Sequence, residues 1–418
     1  MGRFEDTISQ SLIDAMWNSL ASLIDEKLAD ANASDALGLR EELMKHLRDG
    51  ASEPFSIDTS KLSRSISLSF DERDIHKLDE RFDRLMTMLP EVLGRTAEAV
   101  SRQKYPQLIA AWPKFQRQEL RDRKRFEREL KSRWGDMLSL LDLMLSIARE
   151  HGEAVAAADD ESPTVLSRVC AHLYARIMLV ASECSTLLNQ GYADGAFARW
   201  RTVHEATVVL VLMADNGHAL AERYVDHEAV DLWQEYVSET IAAGNDIDQA
   251  LQNDPDAVIL QRAYDDALKK HGTSFKATYG WAKGIVLRTD GSNNVPGFAD
   301  LAAAAGRAAE ADDYKFASYH IHPTARSFGA RLGMLGLEGL LTGPSNAGLE
   351  VAAAYVADSI VLAMAYYAHD ALALECLIAV HLGEHVRDEL ARQAVTARDR
   401  LLDDHRANNS STPNSDTF

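Results

Sequence analysis

Apolar residues recur every three or four positions along most of this chain, the spacing that places them on one face of an α-helix. The 418 residues include only 10 prolines and 23 glycines, so residues that break helices are sparse. Hydrophobic residues make up 46% of the chain, enough to build a sizeable core. The sequence therefore predicts an all-α protein, with a multi-helix bundle core domain preceded by a helical N-terminal domain.

Two interruptions of the helical repeat suggest how the chain is divided. Over residues 51–74 the repeat is lost, and the alternation at Ile66, Leu68 and Phe70 is typical of a short strand or an extended linker. The segment 151–163 is acidic, rich in alanine and ends in Ser-Pro, the composition of a linker. We predict a helical N-terminal domain over 1–155, a helical core domain over 162–404 and a disordered polar tail over 405–418.

Capping residues predict where individual helices begin and end. Ser162 and Pro163 favour a helix start, Gly191 favours its end, and Asp194 is placed to cap the next helix. That helix contains the run 206–214, which is apolar on every side and is predicted to lie at the centre of the core. The remaining predicted helices are two within 5–50, then 72–104, 113–152, 218–243, 248–271, 299–342, 348–382 and 384–404, with a loop at 284–297.

Charge and cysteine content exclude several classes of protein. Asp and Glu outnumber Lys and Arg by 64 to 44, and a net charge of -20 repels a polyanion such as DNA at long range. Cys170, Cys184 and Cys376 lack the spacing of metal ligands or of a disulfide framework. The N-terminal residues lack the pattern of a signal peptide, and no uncharged apolar run approaches the roughly 18 residues that span a bilayer. We expect a cytoplasmic protein without membrane association, metal or cofactor.

Two charged residues lie one helical turn apart immediately before the apolar run. Arg201 and Glu205 share a face of a helix that should be largely buried. Removing both charges from water costs several kcal/mol, whereas an Arg-first pair at this spacing contributes only a few tenths of a kcal/mol. Further partners are therefore expected, either in a structural buried network or around a polar pocket.

A second concentration of polar residues lies between positions 312 and 326. It contains Tyr314, Ser318, His320 and His322, and Pro323 disfavours a helical conformation at His322. An imidazole at a helix junction is a natural acid or base, and Ser318 could hydrogen-bond to His322 if the segment were helical. Alternatively, these groups cap and bridge helices.

Four strings of residues resemble a bacterial all-helical family known as a domain of unknown function. They span 201–205, 275–282, 298–306 and 314–322, carry Arg-x3-Glu, Tyr-Gly-Trp-Ala and Ser-x3-His signatures, and place the resemblance over roughly 165–385. The resemblance implies a shared fold and a shared polar site, and it implies no particular reaction. The residues that it brings to this site are Arg201, Glu205, Tyr279, Trp281, Tyr314, Ser318 and His322.

A more distant resemblance is to ribonucleases of the HEPN superfamily, which pair an arginine with a histidine that follows it after four to six intervening residues. Arg199 and His204 have this spacing, and His204 lies beside the Arg201–Glu205 pair. In that chemistry the arginine steadies the phosphate and the histidine moves the proton during attack by a 2'-hydroxyl, without a metal. The spacing is common by chance and also occurs at Arg40–His46, Arg398–His405 and Arg400–His405.

Two other patterns of charged residues and histidines occur in the chain. His381, Glu384 and His385 match an inverted zinc-protease pattern, but we place Gly383 at a helix end and too few residues follow to supply a third ligand, so metal binding is not expected. The helix 113–134 is strongly basic, with Arg117, Arg121, Arg125 and Arg128 on one face. Given the net charge, an acidic protein partner or subunit is favoured over nucleic acid.

Two functional hypotheses follow. The first is a metal-independent RNA-cleaving effector of a toxin or phage-defence system, in which Arg201 steadies the phosphate and His322 or His204 transfers the proton. Its proposed catalytic residues are Arg201, His204, Glu205, Ser318 and His322, and its further pocket residues are Tyr279, Trp281, Tyr314 and His320. The alternative is a noncatalytic protein-interaction module in which the buried polar residues fix helix packing. Both are compatible with a homodimer.

Overall fold

The regular structure of the chain is helical. The computed structural model describes residues 2–30, 37–48, 71–158, 163–329, 331–336, 340–368 and 374–410. No β-strand occurs within these ranges, which confirms the all-α prediction and a helical bundle architecture. The extended segment predicted around Ile66 lies outside the described residues.

α-Helices make up most of the described residues. They are α1 (Gly2–Asp30), α2 (Leu37–Arg48), α3 (Glu72–Ala158), α4 (Val165–Asn189), α5 (Ala193–Asp226), α6 (Glu228–Ala242), α7 (Ile247–Asn253), α8 (Pro255–His271), α9 (Phe298–Ala304), α10 (Ala311–Tyr319), α11 (Leu349–Tyr367) and α12 (Leu374–Ser410). Single 3-10 turns cover Thr273–Lys276, Gly280–Ala282, Ala308–Glu310 and Ala325–Phe328.

The chain forms two compact units, a first unit of residues 1–119 and a second unit of residues 120–418. The division falls inside α3, earlier than the linker predicted at 151–163. The reason is that α3 continues as helix to Ala158 and packs residues between Leu130 and Ala148 into the core of the second unit. Residues 151–158 are helical and His151 and Val155 are buried, so their interpretation as a linker is wrong.

Two further predictions of irregular structure are corrected. The helices predicted at 72–104 and 113–152 are one continuous α3 that includes Pro90, Pro106 and Pro113. Residues 405–410, predicted as part of a disordered tail, are helical, because α12 extends to Ser410. Residues 411–418 lie outside the described residues.

The local signals around α4 and α5 are only partly confirmed. Thr164 caps α4 by accepting a hydrogen bond from the Ser167 amide at 3.1 Å, in place of the predicted Ser162, which lies outside the described residues. Gly191 ends the turn after α4 with φ +80°, as expected. Asp194 lies within the first turn of α5 and instead accepts a hydrogen bond from the Leu332 amide at 2.6 Å, so its prediction as a cap is wrong.

The core of the second unit is built around α4, α5 and α11. The apolar run of α5 is fully buried at Val208, Leu210 and Leu212, which confirms its predicted central position. α5 bends at Gly217, whose φ of 65° lies outside the helical region. Two of the described helices, Val165–Asn189 and Leu349–Tyr367, are long and apolar enough to cross a membrane by length and composition. Core helices of soluble proteins meet the same criterion.

Candidate functional site

A polar cluster joins the middle of α5 to α10. Arg201 Nε donates hydrogen bonds to Glu205 Oε1 and to Tyr314 Oη, both at 2.9 Å, and Arg201 Nη1 donates to Ser318 Oγ at 3.3 Å. The Tyr314 hydroxyl donates a short hydrogen bond to the same Glu205 oxygen. The Arg201 guanidinium also lies over the Tyr314 ring, 4.7 Å from its centre. The structure thus brings four of the predicted site residues together.

The cluster is half-buried, and this sets the protonation of its members. The Arg201 and Glu205 side chains are 25% and 36% exposed. Burial and the hydrogen bond to the Glu205 carboxylate raise the pKa of Tyr314, so its hydroxyl stays protonated and acts as a donor at neutral pH. Burial and the nearby charge of Glu205 also raise the pKa of Tyr279. Glu205 therefore acts as the acceptor around which its neighbours are arranged.

His204 lies beside this cluster but inside an aromatic cage. Its ring centre is 5.1 Å from that of Trp200, 5.8 Å from that of Phe298 and 5.7 Å from that of Tyr314. Burial lowers the pKa of His204 to about 4, so the imidazole is neutral at physiological pH. Arg199 is bound to Glu183 at 2.7 Å on an exposed surface. The Arg–His spacing resembling that of HEPN ribonucleases therefore does not produce a shared site.

The two histidines after α10 have different surroundings. α10 ends at Tyr319, and His322 is exposed beyond it. Ser318 Oγ donates to the Tyr314 carbonyl at 2.9 Å, which occupies the hydroxyl hydrogen that had been considered for His322. The His320 side chain is 6% exposed, with Nδ1 3.4 Å from Asp194 Oδ1, and its partial burial lowers its pKa. The Ser318 hydroxyl therefore donates to the backbone and not to the His322 imidazole.

The Tyr-Gly-Trp-Ala segment is held by an arginine that the sequence patterns did not identify. Arg223 donates hydrogen bonds to the carbonyls of Trp281 at 2.7 Å, Gly280 at 3.1 Å and Lys283 at 3.2 Å. A Cβ atom on Gly280 would lie 2.3 Å from the Phe275 carbonyl oxygen, so only glycine fits there. The only signal in the sequence was an arginine near the end of a helix, which is too common to single out.

This segment forms one wall of a cleft in the second unit with a volume of about 1020 Å³. Glu205 and Tyr279 line it, so the polar cluster reaches the cleft through Glu205. Its aromatic lining consists of Tyr224, Tyr279, Trp281 and Phe298. Tyr224 and Trp281 meet edge to face, with ring centres 5.1 Å apart, so this part of the lining is fixed in orientation.

The cleft has basic and acidic walls. Arg168, His172 and Arg176 follow each other at intervals of four on α4, and all three are exposed and line the cleft. This row gives no distinct signal in the sequence, because an i, i+4, i+8 pattern of polar residues is normal on any solvated helix face. The acidic side is formed by Glu205 together with Glu228 and Asp231 of α6.

The residues that match the inverted zinc-protease pattern do not form a metal site. His381 Nδ1 lies 2.8 Å from Glu384 Oε2 on an exposed surface, and Gly383 packs near Met364 and Val361. Gly383 lies inside α12, so its predicted place at a helix end is wrong. In the part of the chain that the structure describes, no group of three or more His, Cys, Asp or Glu side chains could hold a metal ion.

Part of the chain matches the model of a known family. Residues 167–339 match the model of a family of unknown function, DUF5677. This is the kind of family that the sequence strings indicated, and the match lies within the range predicted for it. It contains the four residues of the polar cluster and every lining residue of the cleft except Val165. Neither the curated proteins nor the solved structures provide a match.

Proposed function

We propose that the second unit binds a nucleotide or the end of a single-stranded RNA in the cleft beside Glu205. The observation that carries this proposal is the combination of three groups in one cavity: arginines on α4, aromatic rings at Tyr279 and Trp281, and carboxylates at Glu205 and Asp231. They can bind the phosphate, the face of the base and the amino groups at its edge, and the cavity of about 1020 Å³ has room for one nucleotide.

The side chains on each wall of the cleft can bind chemical groups of a nucleotide. Guanidinium groups bind phosphate oxygens through paired N–H donors, which Arg168 and Arg176 can supply from adjacent turns of α4. Aromatic side chains stack on unpaired bases, with about 1–3 kcal/mol for each base. Carboxylates accept hydrogen bonds from the amino groups of bases. The acidic residues would repel the phosphates of a long polyanion, so the cleft favours a nucleotide or a chain end.

Binding is tested by fluorescence anisotropy with a labelled short single-stranded RNA and the full-length protein, with nucleoside monophosphates as competitors. The double variant Arg168→Ala/Arg176→Ala should weaken binding about tenfold or more, since two charge-assisted contacts are lost. Arg262→Ala is the matched control, because Arg262 is an exposed arginine on α8 outside the cleft lining. If wild type and both variants bind alike, or none binds, the proposal is wrong.

A second candidate is cleavage of the bound RNA, and the position of His172 favours it. His172 lies one turn from each cleft arginine and faces the same cavity as Glu205. Its imidazole would accept the proton of a 2'-hydroxyl as that oxygen attacks the adjacent phosphorus, and the 5'-oxygen would leave with a proton from water. The products would be a 2',3'-cyclic phosphate and a 5'-hydroxyl. This route replaces His204 and His322 as candidate proton acceptors.

Cleavage is tested by expressing the protein in a bacterial host and running total RNA on a gel beside growth curves. An RNA-cleaving effector should arrest growth and fragment RNA, and His172→Ala should abolish both. His218→Ala, at an exposed histidine of α5 outside the cleft lining, should change neither. Harmless expression with intact RNA would reject cleavage. The binding proposal would still be decided by the anisotropy measurement.

The interaction-module alternative draws support from the Arg201 cluster. Arg201 donates to three partners within the protein, and the cluster ties α5 to α10. Such a network fixes helix packing whether or not the adjacent cleft binds a ligand. On this alternative, Arg201→Ala lowers stability, while the arginine and histidine variants of α4 have no phenotype.

A further inference from the structure

A second cavity in the second unit lies between α3 and α12 and is rich in arginine. Its volume is about 760 Å³. Its charged lining residues are Arg125, Arg128, Glu129 and Arg133 from α3 and Arg400 and Asp404 from α12. Four arginines against two carboxylates leave an excess of positive charge, in a chain whose net charge is -20. The cavity therefore attracts anions, although the chain as a whole repels them.

Two of these arginines have carboxylate partners. Arg133 Nη2 donates a hydrogen bond to Asp404 Oδ2 at 2.8 Å, which joins α3 to α12 beside the cavity. Arg125 Nη2 lies 3.3 Å from Asp122 Oδ1, in a pair whose side chains are 68% and 49% exposed. So exposed a pair contributes little to stability, and Arg125 can exchange it for a contact with a ligand. Arg133 instead belongs to the framework of the cavity.

The other two arginines have no carboxylate partner in the part of the chain that the structure describes. Arg128 donates only to the Lys124 carbonyl within α3, at 3.2 Å, and Arg400 is exposed on the wall formed by α12. Arg125 and Arg128 carry like charges three residues apart, which mildly destabilises a helix. An anion bound between the walls relieves that repulsion and supplies acceptors to both unpaired guanidinium groups.

Arg133 shows a further sign of a missing acceptor. Its side chain is 22% exposed, and its Nε atom is buried without a hydrogen-bond partner among the described residues. Buried donors without an acceptor are rare in folded proteins, and a bound ion is one source of the missing acceptor. An anion beside this guanidinium would provide it.

We propose that this cavity binds a small anion that carries two adjacent phosphate groups. A guanidinium binds phosphate oxygens through two parallel N–H donors, and Arg128 and Arg400 present such donors from different walls. Of the residues that the structure describes, no aromatic side chain lines the cavity, so a base would find no ring on which to stack. The cavity therefore recognises the diphosphate itself, either free or as part of a nucleotide.

Glu129 favours a compact ligand over a long polyanion. It lies four residues after Arg125 and four before Arg133, so its carboxylate lies between them on the same side of α3. A nucleic acid strand or an acidic peptide that followed the arginines from Arg125 to Arg133 would pass this carboxylate. A diphosphate between Arg128 of α3 and Arg400 of α12 makes its contacts across the cavity instead.

The test is isothermal titration calorimetry of the full-length protein with pyrophosphate, at fixed ionic strength and without divalent metals. Orthophosphate and sulfate are the comparison anions. Pyrophosphate should bind at least about tenfold more tightly than either, because the second phosphate gives further acceptors to the same arginines. Equally weak binding of all three would mean an adventitious ion only and would overturn the proposal.

Variants locate the bound pyrophosphate. Arg128→Gln/Arg400→Gln should weaken binding about 30-fold or more and leave the melting temperature of the free protein unchanged, since neither arginine has a carboxylate partner. Arg392→Gln is the matched control, because Arg392 lies on α12, is 73% exposed and does not line the cavity. Glu129→Gln should tighten binding about threefold or more, because the cavity loses a negative charge. Unchanged affinity in the double variant would overturn the proposal.

The source of the diphosphate is tested with ADP, titrated into Arg168→Ala/Arg176→Ala protein so that the cleft beside Glu205 does not contribute. ADP should bind no more tightly than pyrophosphate, since the cavity offers no ring to its base. Comparable affinities support the diphosphate of a nucleotide as the ligand, and much weaker binding of ADP supports a free diphosphate. Binding of ADP about tenfold tighter than that of pyrophosphate would contradict the proposed site.

This site is independent of the function proposed for the cleft, and the same variants separate the two. Arg168→Ala/Arg176→Ala should leave pyrophosphate binding unchanged, and its loss there would place the anion in the cleft and overturn the proposal. Loss of RNA binding in Arg128→Gln/Arg400→Gln would assign the cavity to nucleic acid and overturn it as well. So would a polyglutamate peptide that binds this cavity more tightly than pyrophosphate, which would assign it to an acidic protein segment.

Discussion

Replacement of Arg201 by alanine should destabilise the protein more than loss of an ordinary surface ion pair. Arg201 donates to Glu205, Tyr314 and Ser318 from a side chain that is 25% exposed. A hydrogen bond to a charged group contributes about 1.5–3 kcal/mol. Solvent reaches the partly exposed Glu205 carboxylate and weakens this contribution, and in the variant the Tyr314 hydroxyl still donates a hydrogen bond to the carboxylate. We expect the free energy of unfolding to fall by about 2 kcal/mol.

The natural control lies two residues away on the same helix. Arg199 pairs with Glu183, but these side chains are 40% and 44% exposed. Such a pair contributes at most about 1 kcal/mol, so Arg199→Ala should lower the free energy of unfolding by about 0.5 kcal/mol. Urea denaturation of the full-length variants, followed by circular dichroism, measures both. The slope of free energy against urea concentration should stay unchanged.

A double-mutant cycle isolates the contact at the centre of the cluster. Arg201→Ala and Tyr314→Phe remove the two donors that share one Glu205 oxygen. Their effects should be non-additive by about 1 kcal/mol, because each changes what the other contributes. If Arg201→Ala cost no more than Arg199→Ala and the cycle showed additivity, the cluster would not be a structural network, and the reasoning from burial would be refuted.

Further predictions concern two glycines, Arg223 and His204. Gly280→Ala should lower the free energy of unfolding by about 3 kcal/mol or more, because the added Cβ would meet the Phe275 carbonyl. Gly135→Ala should instead raise it by about 0.5–1 kcal/mol, because Gly135 lies within helix α3 and a Cβ there would meet no other atom. Arg223→Met should release the 280–283 segment, detected as faster amide hydrogen exchange there than in wild type. His204 has a folded pKa of about 4 against 6.5 when free, so stability should fall by on the order of 3 kcal/mol as pH drops from 6.5 to 4. In His204→Leu that acid-dependent loss should be smaller, as measured by urea midpoints at several pH values.

The fold class was predictable because it depends on a property repeated along the whole chain. Helical periodicity and the all-apolar run 206–214 required no knowledge of contacts between distant residues. The boundaries were less predictable. Composition at 151–158 suggested a linker, but the segment is helical, and Val155 is buried by packing that the sequence alone does not reveal.

The site was predictable to the extent that buried charge requires partners. Arg201 and Glu205 at the edge of an apolar helix needed further polar contacts, and Tyr314 and Ser318 provide them. His322 was not predictable in the same way, because whether it joined the cluster depended on where α10 ended. The row of basic residues on α4 was overlooked because an exposed polar face becomes a cleft wall only when other elements stand opposite it.

The most direct test of the proposed ligand is a crystal structure of the full-length protein grown with a short single-stranded RNA. We predict electron density for a base against Tyr279 or Trp281, with a phosphate within hydrogen-bond distance of Arg168 or Arg176. A cleft that remains empty at saturating RNA, or RNA bound instead along the basic stretch of α3, would contradict the account.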